Sequence, residues 1–257
     1  MPDLLNLNRI TVRFGGVTAL SEVDLAVPAK TIVSVIGPNG AGKTTLLGVA
    51  SGMVKAAAGQ VALDGRDVSR APAHVRGAAG MVRTFQNLEV FSNMTVLENV
   101  MTGCHRHVGY GVVSCLFRTP RFRREERCCR EHALMRLDFV GLTDQADSPA
   151  VDLPYGLQRR MEIARAVAAD PLILLLDEPA AGLNTRETQA LGELITAIRD
   201  RLGVTVVLVE HDMDLVMRIS DRVMVLKEGR NLAVGPPETV QKNPEVIRAY
   251  LGEDEDD

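Results

Sequence analysis

Residues 37–45 read Gly-Pro-Asn-Gly-Ala-Gly-Lys-Thr-Thr and match the pattern G-x-x-x-x-G-K-[ST]. An apolar run, 31–36, leads into this loop, and a helix-like run, 45–50, leads out of it. Three glycines permit a tight turn whose backbone N–H groups point inward. These donors and the positive end of the following helix favour a polyphosphate. Lys43 is then expected on the β- and γ-phosphates, and the Thr44 hydroxyl on Mg²⁺.

The size and composition are those of a soluble globular protein. A chain of 257 residues suits one large domain, or one domain with an inserted lobe. Hydrophobic residues make up 46% and charged residues 24%, and no apolar stretch approaches the roughly 20 residues needed to span a bilayer. The first residues lack a basic and then apolar signal region. These features predict a cytosolic protein that is able to dock on a membrane protein.

The cysteines and the net charge argue against a cysteine-bound metal site and against a nucleic-acid-binding protein. None of the four cysteines forms a C-x-x-C pair, so free thiols are expected and a metal site is disfavoured. The net charge is −4, but residues 253–257 are all acidic, and without them the chain carries +1. Those five residues are typical of a solvated, disordered tail. The rest is not basic enough to indicate nucleic acid as a partner.

The pattern of apolar residues predicts a mixed α/β chain with an interruption. Residues 5–14, 23–27 and 60–63 alternate like antiparallel strands, with a slip near Arg9. Seven arginines lie within 106–131, which we interpret as a solvated helical face or, alternatively, a binding patch. Regular strands and helices are predicted on either side: strands at 80–86, 172–176, 204–209, 222–226 and 231–234, and helices at 159–169, 191–202 and 244–250.

Two carboxylates follow the apolar strand predicted at 172–176. Such a strand, delivering Asp177 and Glu178 at its C-terminal end, is typical of the second half of a nucleotide site. Asp177 suits Mg²⁺ binding through water. Since strand side chains alternate, Glu178 is expected to point the other way. It would polarise a water in line with the γ-phosphate, a general-base role worth about 10²–10⁴ in rate.

Two further polar residues follow predicted strands. His211 comes directly after the strand 204–209, and parallel-sheet geometry places it on the same edge as the loop and Asp177. It is a candidate to bind the γ-phosphate or to orient Glu178. Gln86 ends another predicted strand and is a candidate to reach the metal or the water.

Taken together, these motifs resemble those of a known protein family. The chain looks like the ATP-binding subunit of an ABC transporter over nearly its whole length. The segments that carry the resemblance, in family order and spacing, are residues 37–45, Gln86, Leu153-Pro154-Tyr155-Gly156-Leu157-Gln158-Arg159, Leu174-Leu175-Leu176-Asp177-Glu178-Pro179, Ala181-Gly182-Leu183-Asn184 and His211. The resemblance implies ATP and Mg²⁺ as cofactors.

The same resemblance implies roles beyond the phosphate loop. Phe14 matches the aromatic residue that stacks on adenine, and Gln86 lies in the loop that senses the membrane subunit. Residues 153–157 match the signature loop, which closes on ATP held by the opposite subunit of a dimer. There Pro154 and Tyr155 replace the usual Ser and Gly, so contacts to the γ-phosphate must come from the N–H groups of Tyr155 and Gly156. Asn184 takes the place of an acidic residue in the dimer-contact loop.

A narrower similarity exists to the ATP-binding proteins of prokaryotic branched-chain amino acid importers. It rests on segments 14–17, 153–157, 178–184, 210–213 and 243–252. It implies a second ATPase subunit, in a homo- or heterodimer, together with permease subunits and, indirectly, a substrate-binding protein. The expected place is the cytoplasmic face of the plasma (inner) membrane.

Three alternatives remain open from the sequence. The first is the transporter of another solute. The second is a non-transport ABC ATPase, although those usually carry two cassettes or a long coiled coil. The third is a GTPase or small kinase, although a guanine-reading Asn-Lys-x-Asp is absent from the sequence.

The expected fold is an α/β P-loop NTPase core of the ABC ATPase type, with an antiparallel β subdomain and an inserted α-helical subdomain. One domain, 4–252, would hold the core in 4–86 and 160–252 and the helical subdomain in about 87–159. The expected catalytic residues are Glu178, His211 and Gln86. The expected metal ligands are Thr44, Gln86 and Asp177. The expected nucleotide-binding residues are Phe14, Gly37, Pro38, Asn39, Gly40, Ala41, Gly42, Lys43, Thr44, Thr45, Tyr155 and Gly156.

Overall fold

The computed structural model describes residues 3–84, 88–107, 109 and 112–251. The chain divides into two compact units, one formed by residues 1–83 with 172–257 and the other by residues 84–171. The first unit holds β1 (Asp3–Phe14), β2 (Val17–Pro28), β3 (Ile32–Ile36), α1 (Lys43–Ser51), β4 (Ala58–Leu63), β5 (Arg66–Asp67), α2 (Ala73–Ala78) and β6 (Met81–Arg83). The second unit holds α3 (Val96–Met101), α4 (Val112–Leu116), α5 (Pro120–Val140) and α6 (Tyr155–Val167). The first unit continues with β7 (Ile173–Asp177), α7 (Thr185–Leu202), β8 (Thr205–Val209), α8 (Met213–Ile219), β9 (Arg222–Lys227), β10 (Arg230–Gly235), α9 (Pro237–Gln241) and α10 (Pro244–Leu251).

An antiparallel sheet in the order β2-β1-β4-β5 forms one part of the first unit. Leu7 pairs with Leu25 on one side and with Val61 on the other. The expected slip near Arg9 is confirmed, since the β1–β2 register shifts there and Arg9 has a φ of 49°. Such a bulge lets the apolar residues on either side of Arg9 continue to face the core.

The second sheet has the order β10-β9-β3-β8-β7-β6, and its pairings are parallel except between β10 and β9. Every residue of β3, β7 and β8 is buried, as expected for strands covered on both faces. Because β8 lies between β3 and β7, the C-terminal ends of these three strands meet at one edge of the sheet. The mixed α/β architecture with an antiparallel sheet is therefore confirmed.

Several of the predicted element boundaries are wrong, and three of them bear on the site. Leu172 is 44% exposed and precedes β7, which begins at Ile173. The strand predicted at 80–86 ends at Arg83, and Gln86 itself lies outside the described residues. The helix predicted from residue 159 begins at Tyr155, because the extended Pro154 directly precedes its first turn.

In the second unit, α3, α5 and α6 pack around buried side chains that include Leu97, Leu137 and Ala164. A capping box begins α3, since the Thr95 hydroxyl accepts from Glu98 N and the Glu98 carboxylate accepts from Thr95 N. Cys104 and Cys129 are buried here and, like the other two cysteines, are free thiols. Burial raises the pKa of Cys104 to about 12.

No helix in the described part of the chain is both long and apolar enough to cross a membrane. The acidic residues 253–257, for which a disordered tail is predicted, lie outside the described residues.

Candidate functional site

The phosphate-loop motif occupies the connection between β3 and α1. A Cβ atom on Gly37 would lie 2.1 Å from the backbone oxygen of Leu226 in β9, so a glycine is required there. Gly42 precedes α1 with a φ of 101°, and no side chain caps this helix end. The first N–H groups of α1 are therefore not taken up by a capping side chain.

Lys43 is the first residue of α1 and is buried. Its ammonium donates to the backbone oxygens of Gly37, at 2.7 Å, and Pro38, at 3.0 Å. Burial lowers the pKa of Lys43, and the nearby carboxylates of Glu178 and Asp177 oppose that shift. The structure thus brings the loop lysine and both strand-end carboxylates together.

Asp177, the last residue of β7, is almost fully buried. Its Oδ1 lies 3.4 Å from the Thr44 hydroxyl, and its Oδ2 accepts from Arg83 Nη2 at 2.8 Å. The Arg83 side chain is 9% exposed and that of Asp177 2%, so this is a buried ion pair. Sequence reasoning missed Arg83, because a strand-end arginine gives no local sign of its partner.

Glu178 follows β7 in a half-buried position with a φ of 48°. Its N–H donates to the Val209 oxygen of the neighbouring strand at 2.9 Å. The expectation that strand alternation sets its direction is wrong, since the residue lies beyond the strand in a left-handed conformation. Such a conformation is uncommon for a residue with a Cβ atom and is often found at functional sites.

Glu210 and His211 follow β8 and differ sharply in burial. Glu210 is fully buried, and its carboxylate accepts from Ala180 N at 2.7 Å and from His211 N at 3.1 Å. Burial raises the pKa of Glu210, although these hydrogen bonds oppose the shift. The His211 side chain is 64% exposed, with Nδ1 3.8 Å from a Glu210 oxygen. Sequence reasoning missed Glu210, which ties the segment after Glu178 to the segment that carries His211.

Two aromatic residues complete the first unit's part of the site. Phe14 ends β1, pairs with Val17 at the hairpin tip and is 54% exposed, so its ring is available to a ligand. Tyr250 lies near the end of α10, where burial raises its pKa to about 12 although the backbone of Gly37 opposes the shift. Sequence reasoning did not connect Tyr250 with the phosphate loop.

Tyr155 and Gly156 lie in the second unit, at the start of α6. Pro154 precedes them, and no side chain caps this end. The Tyr155 hydroxyl accepts from Arg159 Nη2 at 3.0 Å, and Arg159 forms a buried ion pair with Glu162 at 2.7 Å.

Asn184, for which the resemblance implies a place in the dimer-contact loop, is the N-cap of α7. Its side-chain oxygen accepts from Glu187 N at 3.0 Å. The uncharged residue therefore performs an ordinary capping role.

Comparison with known proteins shows the family of the chain. The family model described as ABC transporter matches residues 20–181, and that of the branched-chain amino acid ATP-binding cassette transporter matches residues 230–256. The high-affinity branched-chain amino acid transport ATP-binding protein BraF of Pseudomonas aeruginosa is 48% identical over 97% of this chain and 98% of its own. The chain belongs to the ABC transporter family.

Other ABC proteins extend the comparison. The corresponding protein LivG of Escherichia coli K12 is 46% identical over the same shares of the two chains. The ADP conformation of MJ1267, an ATP-binding cassette of an ABC transporter, superposes with a TM-score of 0.85 at 30% identity, over 98% of this chain and 100% of its own. The dimeric cassette MJ0796 gives a TM-score of 0.76 at 26% identity, over 91% and 98%. The expected ABC ATPase fold is confirmed, and with it a nucleotide-binding protein of the class that couples ATP hydrolysis to transport.

Proposed function

We propose that this chain is the ATP-hydrolysing subunit of a prokaryotic importer of branched-chain amino acids. The observation that carries the proposal is the similarity to BraF over 97% of this chain and 98% of the relative. The match to the branched-chain transporter model at residues 230–256 supports the same solute class, because this segment lies outside the general cassette match.

In this proposal the phosphate loop binds ATP through backbone N–H groups of residues 37–45 and the ammonium of Lys43. Lys43 Nζ is held by two loop oxygens, so it is already oriented before a nucleotide binds. The exposed ring of Phe14 stacks on adenine.

Thr44 and Asp177 fit a Mg²⁺ ion. Their oxygens lie 3.4 Å apart, and hydroxyl and carboxylate oxygens are hard donors of the kind that Mg²⁺ prefers. No cluster of three acidic, His or Cys side chains that would hold a metal occurs in the described ranges. Two protein ligands suffice for Mg²⁺, which keeps waters and substrate phosphates as its other ligands. Gln86 is proposed as a further ligand. The ion would neutralise charge on the phosphates.

Glu178 is proposed as the general base. Its carboxylate would accept a proton from a water while the water oxygen bonds to the γ-phosphorus and the bond to the ADP oxygen breaks. His211 would donate a hydrogen bond to the γ-phosphate. Glu210, fully buried and bonded to Ala180 N and His211 N, positions both neighbouring segments.

We propose a single cassette domain, 4–252, that works as a homo- or heterodimer on the cytoplasmic face of the plasma membrane. Tyr155 and Gly156 of the second subunit would cover the γ-phosphate with their backbone N–H groups. Two permease subunits would contact the dimer, a substrate-binding protein would act indirectly, and nucleic acid would not be a partner. The dimeric cassette MJ0796 supports this assembly.

The test is reconstitution. The tagged chain is co-expressed with permease subunits encoded beside it, purified from membranes and placed in proteoliposomes. The expected result is ATP-dependent uptake of radiolabelled leucine, isoleucine or valine, competed by each of the three but not by histidine. Uptake of an unrelated solute alone would overturn the substrate assignment. Recovery of ribosomes instead of permeases would favour a non-transport ATPase.

A further inference from the structure

The arginine-rich stretch, which the nucleotide site does not use, contains an exposed turn between α4 and α5. Arg118 N donates to Cys115 O and Thr119 N to Ser114 O, both at 3.2 Å, so the turn is closed by its own backbone. Thr119 then caps α5 by accepting from Phe122 N at 3.3 Å. The tip is thus a built structure that presents residues 116–118.

Leu116 and Phe117 lie at this tip and are 75% and 73% exposed. Among the described residues these are the two most exposed large apolar side chains, and they are neighbours in sequence. An isolated exposed leucine needs no explanation, but an adjacent aliphatic and aromatic pair on a turn indicates a contact with an apolar phase.

Several arginines lie beside Phe117 of this pair. Arg118, Arg123, Arg124 and Arg127 line, with Phe117, a concavity of about 550 Å³, and no acidic side chain is among the described residues of its wall. None of these four arginines forms an ion pair with a carboxylate in the part of the chain that the structure describes. The nearby Glu125 accepts instead from Arg121 and from Gly109 N.

The segment 116–130 contains six arginines and two glutamates, a formal charge of +4 in a chain whose net charge is −4. A local positive charge beside exposed apolar groups complements a surface that is anionic on the outside and apolar beneath. Arginine forks also match phosphate oxygens bidentately.

We propose that the α4–α5 turn docks on the anionic phospholipid surface of the membrane, with Arg118, Arg123, Arg124 and Arg127 on lipid phosphates and Leu116 and Phe117 inserted between headgroups. The inference deepens the proposed function, since an importer subunit works against the membrane. It assigns part of that contact to lipid and not to a permease.

The test is flotation of the purified full-length chain with vesicles, without any permease. Vesicles of phosphatidylcholine with about a third phosphatidylglycerol are compared with pure phosphatidylcholine. Since each arginine near an anionic surface contributes about fivefold, Arg123→Gln with Arg124→Gln and Arg127→Gln should weaken binding roughly a hundredfold. Raising the salt concentration should weaken binding of the unaltered chain.

A matched control removes the same charge elsewhere. The exposed residues Arg66, Arg201 and Arg230, changed together to Gln, should leave most of the binding intact. The double variant Leu116→Ser with Phe117→Ser keeps the charge of the turn. It should bind the vesicles more weakly than the unaltered chain, and a lower salt concentration should abolish its binding. ATP hydrolysis and circular dichroism of each variant show that the fold and the nucleotide site are unaffected, so failure here is distinguishable from failure of the proposed function.

The lipid assignment is overturned if the unaltered chain does not bind anionic vesicles, or if the two triple variants lose binding equally. If only permease-containing membranes bind the chain, and the α4–α5 variants abolish that binding, the turn is a protein contact and the proposal is wrong.

Discussion

Two helices of this chain, α1 and α6, begin at loops that the family uses for phosphate. Their first residues differ in burial and in the side-chain contacts that they make. At α1 the preceding loop is constrained from several sides: Gly37 lies against Leu226 O, and Lys43 is buried with its ammonium on loop oxygens. At α6 Pro154 supplies neither a capping hydroxyl nor an N–H, and Tyr155 is 43% exposed.

The anchoring of the two helices also differs. The far end of α1 is held by Arg76, whose Nη1 donates to Val49 O and Ala50 O at 2.6 Å. The first turns of α6 are held by the buried Arg159–Glu162 pair. Thus the start of α1 lies beside a lysine, a hydroxyl and two carboxylates, whereas the start of α6 presents backbone donors that no side chain caps. The first arrangement suits a catalytic half-site, and the second suits a cover that a partner subunit supplies.

The largest effect is expected from a substitution that removes catalysis at the α1 part of the site and leaves α6 unchanged. Glu178→Gln should slow hydrolysis by about 10²–10⁴ while leaving ATP affinity unchanged, because the general base is lost and the phosphate loop is not. ATP should then hold the protein as a closed dimer, seen by size-exclusion chromatography with light scattering. The exposed Glu193→Gln is the control. Unchanged turnover in Glu178→Gln would refute the role of this residue.

A second test targets the anchor of α6. Arg159→Met should lower the free energy of unfolding, by at most about 3–5 kcal/mol, because the buried Glu162 loses this ion pair. Arg159→Met with Glu162→Met should recover most of that loss, since an apolar pair replaces the ion pair. Urea denaturation measures both, with Arg160→Met as the neighbouring control. Equal losses in the single and double variants would contradict the argument.

The α1 half of the site was largely predictable from the sequence because its signals are local. A glycine-rich loop between an apolar strand and a helix, and two carboxylates at a strand end, place Lys43, Thr44 and Asp177 without knowledge of the fold. Their meeting at one edge follows from the parallel order of β3, β8 and β7.

What the sequence did not predict are pairings between distant positions. Arg83 and Asp177 are 94 residues apart, and Glu210 reaches Ala180 across 30. Neither contact leaves a periodic pattern, since each depends on which strands become neighbours. The left-handed conformation of Glu178 was missed for a related reason: side-chain alternation holds inside a strand, and Glu178 lies just beyond one.

The two helices also differ in a titratable group, since α1 begins with the buried Lys43. Because burial lowers the pKa of Lys43 from its ordinary 10.5, the charged form that binds phosphate should be lost at a lower pH than for an exposed lysine. ATP affinity should thus be fully present near neutral pH and fall about tenfold as the pH rises through the pKa of Lys43. Titration with a fluorescent ATP analogue from pH 7 to about 10 measures this. The profile of Lys43→Arg should stay flat, because a guanidinium remains protonated. Parallel declines in both proteins would show that another group is responsible.

The smallest effect is expected at Pro154, where α6 departs from the family's usual serine. Pro154→Ser adds a capping hydroxyl and an N–H, and a serine N-cap typically stabilises a helix by about 1 kcal/mol. If α6 covers the γ-phosphate of a partner subunit, the added donors should also raise ATP-dependent dimerisation by a few-fold. Pro154→Ala restores the N–H without the hydroxyl and so separates the two contributions. Thermal unfolding without nucleotide should respond mainly to the hydroxyl, whereas dimerisation should respond to both. If both variants dimerise as the unaltered chain does, the N-terminus of α6 contributes to closure only through Tyr155 and Gly156.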